Sequence, residues 1–179
     1  MMNISTNAPA SPAATPVLRS PDPSRDILLA LDLGTTTGFA LRGADGAITS
    51  GTAEFRLDRW QSGGMRFLRF KHWLTEIKHQ AGGIETVVYE QVRRHAGVDA
   101  AHAFGGWLAI LTAWCDHHGI AYQGVPVGTI KRHVTGKGNA DKAAVIAAIR
   151  ARGFNPADDN EADALAILLW ATETQGGVR

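Results

Sequence analysis

The stretch from Ile27 to Leu41 constrains the fold more than any other part of the chain. It reads Ile-Leu-Leu-Ala-Leu-Asp-Leu-Gly-Thr-Thr-Thr-Gly-Phe-Ala-Leu, an apolar run with one acid near its end, then a Gly/Thr turn and a second apolar run. Short apolar runs bounded by turn residues are typical of buried strands. A carboxylate inside such a run is costly to bury without a partner. Asp32 is therefore expected either to cap the turn or to face a cation.

The remaining pattern predicts three hairpin-linked strands followed by alternating strands and helices. An Asp-Gly turn at 44–47 is typical of a hairpin, and Ala81-Gly82-Gly83 ends a helix predicted over 60–80 whose aromatic side chains, Trp60 among them, are expected in the core. The other predicted elements are a first strand, the Asp32 turn and the start of a second strand within 26–41, and further strands at 48–55, 86–90 and 120–127. Helices are predicted at 101–117, 141–152 and 161–172, with a helical turn at 129–134. This order predicts an α/β fold, a mixed sheet with helices on both faces.

Composition indicates the domain organisation and the cellular location of the protein. Residues 1–25 are rich in Pro, Ala and Ser, which predicts a disordered leader, followed by one domain over 26–173 and a flexible tail over 174–179. The single cysteine, Cys115, excludes an internal disulfide, and neither a secretory signal nor a membrane-spanning run is recognisable. We therefore expect a cytoplasmic protein with no membrane partner.

The charge is unevenly distributed along the chain. The net charge is only +1, yet residues 56–94 hold eight basic and four acidic side chains, and residues 126–153 hold six and one. A basic surface around an acidic centre suits a metal-dependent enzyme that acts on a phosphate backbone. A mixed, solvated surface is the alternative that charge alone leaves open.

Three carboxylates are candidates for that acidic centre, because each lies at the end of a predicted element. Asp32 and Glu90 end strands, and Asp163 lies in the first turns of the last helix. If the first and fourth strands are neighbours, the three converge and require hard cations, of which Mg²⁺ is the default. Asn160 shares a helix face with Asp163. Asp159 and Asn160 are candidates for a further metal ligand or for the helix cap, and Asp158 is likewise a candidate for either role.

Four short segments resemble RuvC-type Holliday junction resolvases, which have the RNase H-like fold: Asp32-Leu33-Gly34, Tyr89-Glu90-Gln91, the segment 134–142 and Ala162-Asp163-Ala164-Leu165-Ala166. The resemblance implies a homodimer that binds four-way DNA junctions and nicks two strands with two Mg²⁺ ions, for which Mn²⁺ substitutes. It implies catalytic and metal-binding roles for Asp32, Glu90 and Asp163. The fourth acidic position of the family corresponds to Asn160, so Asp159 is a candidate to compensate.

The resemblance also assigns candidate DNA contacts. Lys131 and Lys142 match basic positions that face the DNA, and Lys137 lies in the Gly/Lys-rich loop between them. The family places an aromatic residue shortly after the Glu-Gln pair, where this chain has Arg93 and Arg94. These two arginines are expected to hold phosphates or stack on bases. Binding of the junction would then depend more on electrostatic contacts, and less on intrusion between the bases, than in the family.

Three other functions fit the same residues. A nuclease for other branched DNA or for RNA–DNA hybrids would use the same centre, and a junction-binding protein without cleavage would explain Asn160. The Asp-Leu-Gly-Thr-Thr-Thr-Gly turn also looks like the phosphate loop of sugar kinases and chaperone-type ATPases. Those proteins need a second lobe and a second glycine-rich loop, and this chain has room for one lobe.

Overall fold

The structure is a computed structural model that describes residues 26–92 and 97–175. The predicted leader, most of the predicted tail, and Arg93 and Arg94 lie outside the described residues. The strands are β1 (Leu28–Asp32), β2 (Thr36–Arg42), β3 (Ile48–Glu54), β4 (Thr86–Gln91) and β5 (Ala121–Pro126). The helices are α1 (Met65–Gln80), α2 (Val98–His118), α3 (Val127–Thr135), α4 (Lys142–Ala151) and α5 (Asp159–Gln175).

The five strands form one mixed sheet in the order β3-β2-β1-β4-β5. β1 and β2 pair antiparallel, as do β2 and β3, whereas β1 and β4 pair parallel, as do β4 and β5. The predicted neighbourhood of the first and fourth strands is therefore confirmed. Because both strands run in the same direction, their carboxyl ends meet at one edge of the sheet.

Helices cover both faces of the sheet, and each face has its own core. One core joins α1 and α2 to the side chains of Leu29, Leu31, Val87 and Tyr89. The other joins α3, α4 and α5 to Leu28, Ala30, Val88 and Val125. Successive residues of a strand point to opposite faces, and this alternation within β1 and β4 separates the two cores.

The first helix begins later than the sequence predicts. α1 starts at Met65, and the residues after β3 form a loop that contains Trp60. The expectation that Trp60 lies in the core is wrong, because its side chain is 85% exposed. The pair Gly63-Gly64 just before Met65 disfavours helix. Of the apolar residues in the predicted helix, only those from Phe67 onward therefore lie in α1.

The other helix boundaries differ less. The predicted helical turn at 129–134 is a nine-residue helix, α3, and the last helix begins at Asp159 and continues to Gln175. Asp158 caps it, since its Oδ1 accepts from the Glu161 N–H at 2.8 Å. Neither Asp159 nor Asn160 is the cap, because both are already helical. None of the helices in the described residues is long and apolar enough to cross a membrane.

The packing of α1 against α2 explains one of the two adjacent glycines inside α2. A Cβ on Gly106 would lie 2.5 Å from the Phe67 ring of α1, whereas a Cβ on Gly105 would meet no atom within 4 Å. Phe67 in turn packs on Trp107 with ring centroids 4.9 Å apart. Gly106 thus permits the close approach of α1 and α2.

Candidate active site

The strand register places two of the three candidate carboxylates side by side. Leu31 pairs with Tyr89, and both side chains enter the core under α1 and α2. The next residues, Asp32 and Glu90, therefore point to the opposite face, toward α5. Both carboxylates lie where their strands end, as the sequence predicts.

The turn after β1 does not need Asp32 as its cap. Thr37 is fully buried, and its hydroxyl donates to the Gly34 carbonyl at 2.7 Å and accepts from the Gly34 N–H at 3.3 Å. These two bonds close the Gly/Thr turn from within. The Asp32 carboxylate is therefore left to face the acids of β4 and α5, which favours the cation-facing role over the capping role.

Helix α5 reaches these carboxylates because Gly38 has no side chain. Gly38 lies opposite Asp32 in the β1–β2 pair, and a Cβ on it would be 1.9 Å from the backbone oxygen of Asn160. The first turn of α5 consequently rests directly on strand β2. Asp163, one turn further along the helix, then lies over the ends of β1 and β4.

Two hydroxyl side chains of β3 fix the start of α5. Thr52 donates to the Asp158 carboxylate, whose two oxygens lie 2.9 and 3.0 Å from its hydroxyl oxygen. Ser50 donates to Glu161 at 2.7 Å, and the other oxygen of Glu161 accepts from the Ala157 N–H at 2.8 Å. Glu161 thus points away from the carboxylate cluster, as its position two residues from Asp163 predicts. Asp158 and Glu161 position the helix that carries Asp163.

The three carboxylates lie close enough to raise one another's pKa values. Burial, followed by repulsion from Glu90 and Asp163, raises the pKa of Asp32 to about 8. Burial and then repulsion from Asp163 raise the pKa of Glu90 to about 7. Burial also raises the pKa of Asp163. Such a cluster strongly favours a positive partner.

Two lysines supply part of that positive charge. Lys131 of α3 lowers the pKa values of Glu90 and Asp163, against the effect of burial, and Lys142 of α4 does the same for Asp32 and Asp163. Lys131 is held in place by a 2.7 Å hydrogen bond to the Ala140 carbonyl. The structure therefore brings both predicted lysines to the cluster.

The donor set has the right chemistry for divalent ions, although the side chains are not in chelating positions. Carboxylate oxygens are the ligands that Mg²⁺ prefers. Burial first, and then repulsion from neighbouring carboxylates, raises the pKa values of Asp32 and Glu90, and a bound cation would offset both effects. Within residues 26–92 and 97–175, no three His, Cys, Asp or Glu side chains are close enough to hold a metal ion as placed. Chelation by this cluster requires side-chain rearrangement.

The two candidates for a fourth ligand differ in their surroundings. Lys142 Nζ donates to the Asp159 carboxylate, which raises the pKa of Lys142 and lowers the pKa of Asp159. Asp159 is thus engaged by a cation of the protein itself. Asn160 lies one helical turn before Asp163, on the same helix face, with its backbone against Gly38.

The predicted DNA contacts are only partly assembled around the cluster. Lys137 is exposed in the loop between α3 and α4, and the Thr135 hydroxyl accepts from its backbone N–H at 3.1 Å. Sequence reasoning missed Gly38, Ser50 and Thr52, whereas capping by Asp158 was one of the two roles expected of it. A small residue opposite Asp32 and hydroxyls on an edge strand are the signals that point to them, and both signals are too common to be specific.

The strand order and the two helical layers form a fold that solved RuvC structures share. Solved structures confirm the resemblance at the level of the fold. Thermus thermophilus RuvC, in complex with a Holliday junction substrate, superposes with a TM-score of 0.69 at 21% identity, over 82% of this chain and 93% of that one. A second T. thermophilus RuvC structure gives 0.66 at 20% identity, over 84% and 97%.

A more distant structure shares the same fold. The yeast mitochondrial Holliday junction resolvase Ydc2 superposes with a TM-score of 0.55 at 11% identity, over 82% of this chain and 78% of that one. No protein-family model and no curated protein sequence matches this chain.

Proposed function

We propose that this chain is a metal-dependent endonuclease that resolves four-way DNA junctions by paired phosphodiester hydrolysis. The observation that carries the proposal is the meeting of Asp32, Glu90 and Asp163, from three separate elements, beside Lys131 and Lys142. A cluster of buried acids flanked by lysines suits the binding of divalent ions and a phosphodiester together. The structural neighbours that include a junction complex support the choice of substrate.

Each residue of the cluster has a distinct part in this proposal. Asp32, whose pKa is raised by both Glu90 and Asp163, is the candidate ligand that two Mg²⁺ or Mn²⁺ ions would share. Divalent ions held by these carboxylates would supply positive charge to the attacking and leaving oxygens of a phosphodiester displacement. Lys131 and Lys142 attract the phosphate backbone and hold the scissile group over the carboxylates. Lys137, Arg93 and Arg94 are proposed to hold the flanking phosphates.

The local charges also have to change on substrate binding. Lys142 donates to Asp159 in the structure, so it must exchange this carboxylate for a phosphate oxygen if it is to contact DNA. Asp159 would then be released beside Asn160 and Asp163, where a carboxylate is available to compensate for the neutral amide. The proposal therefore links DNA binding by Lys142 to completion of the ligand set.

A homodimer is part of the proposal, because paired cuts in two strands of one junction require two active sites. A non-cleaving junction-binding protein is the second candidate. It is favoured by Asn160 at the fourth position and by the carboxylates' failure to converge to chelating positions within the described residues. The two candidates differ in whether any DNA strand is cut.

A single-turnover cleavage assay separates these candidates. A labelled four-way junction, a flap, an RNA–DNA hybrid and a linear duplex are each incubated with excess full-length protein in Mg²⁺ or Mn²⁺. We expect cutting of the junction at least tenfold faster than the duplex, and its loss in Asp32→Asn. The matched control Asp45→Asn changes an exposed hairpin acid and should cut normally. Junction binding without cutting in either metal would favour the non-cleaving protein, and preferential cutting of the flap or the hybrid would assign the centre to that substrate.

The electrostatic part of the grip has its own test. Each phosphate contact by a basic side chain contributes about one unit to the slope of log affinity against log salt. We expect the double variant Arg93→Ala, Arg94→Ala to flatten that slope by up to about two units. An unchanged slope would remove both arginines from the proposed interface.

A further inference from the structure

The loop between β3 and α1 exposes a tryptophan. Trp60 is 85% exposed, the highest value among the large apolar side chains of the described residues, whereas Trp107 and Trp114 are each 1% exposed. Tryptophan combines a large apolar surface with a flat π-face, and such side chains are usually covered in a folded protein. An indole left in solvent is therefore a candidate contact for a flat, apolar ligand.

The loop that carries Trp60 is held by several contacts. Gln61 donates from its side chain to Asp58 at 2.9 Å and from its backbone to the Asp58 carbonyl at 3.0 Å. Arg69 of α1 donates to the Arg56 carbonyl at 2.9 Å. The Arg59 guanidinium lies 4.8 Å from the centroid of the Trp60 ring. These contacts fix the loop at both sides of the indole and place a cation against it.

The loop leaves the sheet at the same end as the carboxylates. β3 and β1 both run antiparallel to β2, so their last residues lie at the same end of the sheet. The Phe55 N–H, the first after β3, donates to the Thr35 carbonyl at 2.8 Å, and Thr35 belongs to the turn that follows Asp32. The base of this loop therefore lies at the same end of the sheet as the carboxylate cluster.

The charge around Trp60 favours nucleic acid as the ligand. Residues 56–69 contain four arginines and a single acid, Asp58. Aromatic side chains among basic residues bind unstacked bases, because the ring stacks on the base while the cations hold the phosphates. A continuous duplex offers no free base face, whereas the branch point of a junction exposes the base pairs that end each arm.

We propose that Trp60 stacks on a base exposed at the branch point and so selects branched DNA over continuous duplex. This inference rests on the proposed function and deepens it. The grip on the junction then combines phosphate contacts with base stacking, rather than relying on phosphate contacts alone.

The test measures binding without cleavage. Full-length protein is titrated in Ca²⁺ with a four-way junction and with a duplex of the same sequence, each carrying 2-aminopurine at the position of the branch. Trp60→Ala should weaken junction affinity by about 5- to 150-fold, the range found for loss of one stacked base, and duplex affinity by less than about twofold. Trp60→Phe, which keeps an aromatic face, should recover most of the loss.

Tyr122→Ala is the matched control, since Tyr122 is another partly exposed aromatic residue but lies near the start of β5, at the opposite edge of the sheet. It should leave both affinities and the 2-aminopurine signal unchanged. Equal loss of junction and duplex affinity in Trp60→Ala, or no loss at all, would overturn the inference and leave the indole to a protein partner. A wild-type protein that does not prefer the junction would instead overturn the proposed function together with this inference.

Discussion

Replacement of Gly38 by alanine is the sharpest perturbation of the site that avoids the carboxylates themselves. The new Cβ would lie 1.9 Å from the backbone oxygen and 2.4 Å from the carbonyl carbon of Asn160. Non-bonded heavy atoms normally approach to about 3.5 Å, so strand β2 and the start of α5 must separate by roughly 1.5 Å. Both sides of this contact are backbone, and no side-chain rotation can relieve it.

The expected consequences follow from that displacement. Overpacking of this kind costs about 1–3 kcal/mol of the free energy of unfolding. Misplacement of a catalytic group by about 1 Å costs on the order of 100-fold in rate, so junction nicking should fall by at least that factor, through the shift of Asp163 relative to Asp32. The two effects are separable, because the loss of rate should persist under conditions in which the variant is fully folded.

Urea unfolding and single-turnover nicking at saturating Mg²⁺ measure the two effects in the same preparation. Gly63→Ala is the control, since a Cβ there meets no atom within 4 Å, and both its stability and its rate should match the wild type. If Gly38→Ala unfolds at the wild-type urea concentration and nicks at the wild-type rate, α5 does not rest on β2 as described, and the assembly of the carboxylates loses its structural basis.

Three further predictions concern the charges and the helix packing. Asp32 holds its proton more tightly in the folded protein, with a pKa of about 8 against 3.8 for the free side chain. The free energy of unfolding without divalent ions should therefore fall as the pH rises from 4 to 8. Asp32→Asn should raise that free energy at pH 8 by more than about 1 kcal/mol, and a less stable variant in urea titrations would contradict this. Lys142→Gln should weaken junction binding and flatten its salt dependence by about one unit, and an unchanged slope would place Lys142 away from the phosphates. Gly105→Ala should stabilise α2 by about 0.5–1 kcal/mol, whereas Gly106→Ala should destabilise the protein by about 1–3 kcal/mol through its clash with Phe67; equal effects of the two changes in thermal unfolding would show that α1 and α2 do not pack as described.

The parts of the fold that could be predicted from sequence are those with a periodic or local signal. The apolar run before Asp32 and the short strand before Glu90 are strands, and the order of elements predicts a mixed sheet. The adjacency of these two strands is a long-range expectation, and the β1–β4 pairing confirms it. Local patterns succeed here because burial on alternate faces of a strand leaves a direct trace in the sequence.

The parts that could not be predicted depend on tertiary contacts. Trp60 continues the apolar pattern of α1, and only the packing of Phe67 and Phe70 against Trp107 shows that the pattern begins after it. Gly38 is one of several glycines in the chain. The need for glycine at this position becomes evident only in the structure, where the backbone of Asn160 packs against it. Close approach and exposure are properties of the folded chain, so single residues carry no signal of them.

The assignment of the fourth ligand position shows the same limit within the site. Sequence spacing makes Asp158, Asp159 and Asn160 candidates for both ligand and cap, whereas the structure makes Asp158 the cap and engages Asp159 with Lys142. Side chains in the first turn of a helix have several competing partners, and the outcome depends on a strand and a helix that are distant in sequence. Whether Asp159 can act as the fourth ligand therefore depends on whether Lys142 leaves its carboxylate for a phosphate.

The most direct test of the central claim uses a supercoiled plasmid that extrudes a cruciform, a natural four-way junction. Two coordinated cuts across one junction linearise the plasmid, whereas a single cut relaxes the cruciform and leaves a nicked circle. We predict linear plasmid in Mg²⁺ with the wild-type protein and intact supercoiled plasmid with Asp32→Asn. Nicked circles alone, or no product with either Mg²⁺ or Mn²⁺, would contradict paired hydrolysis at the centre formed by Asp32, Glu90 and Asp163.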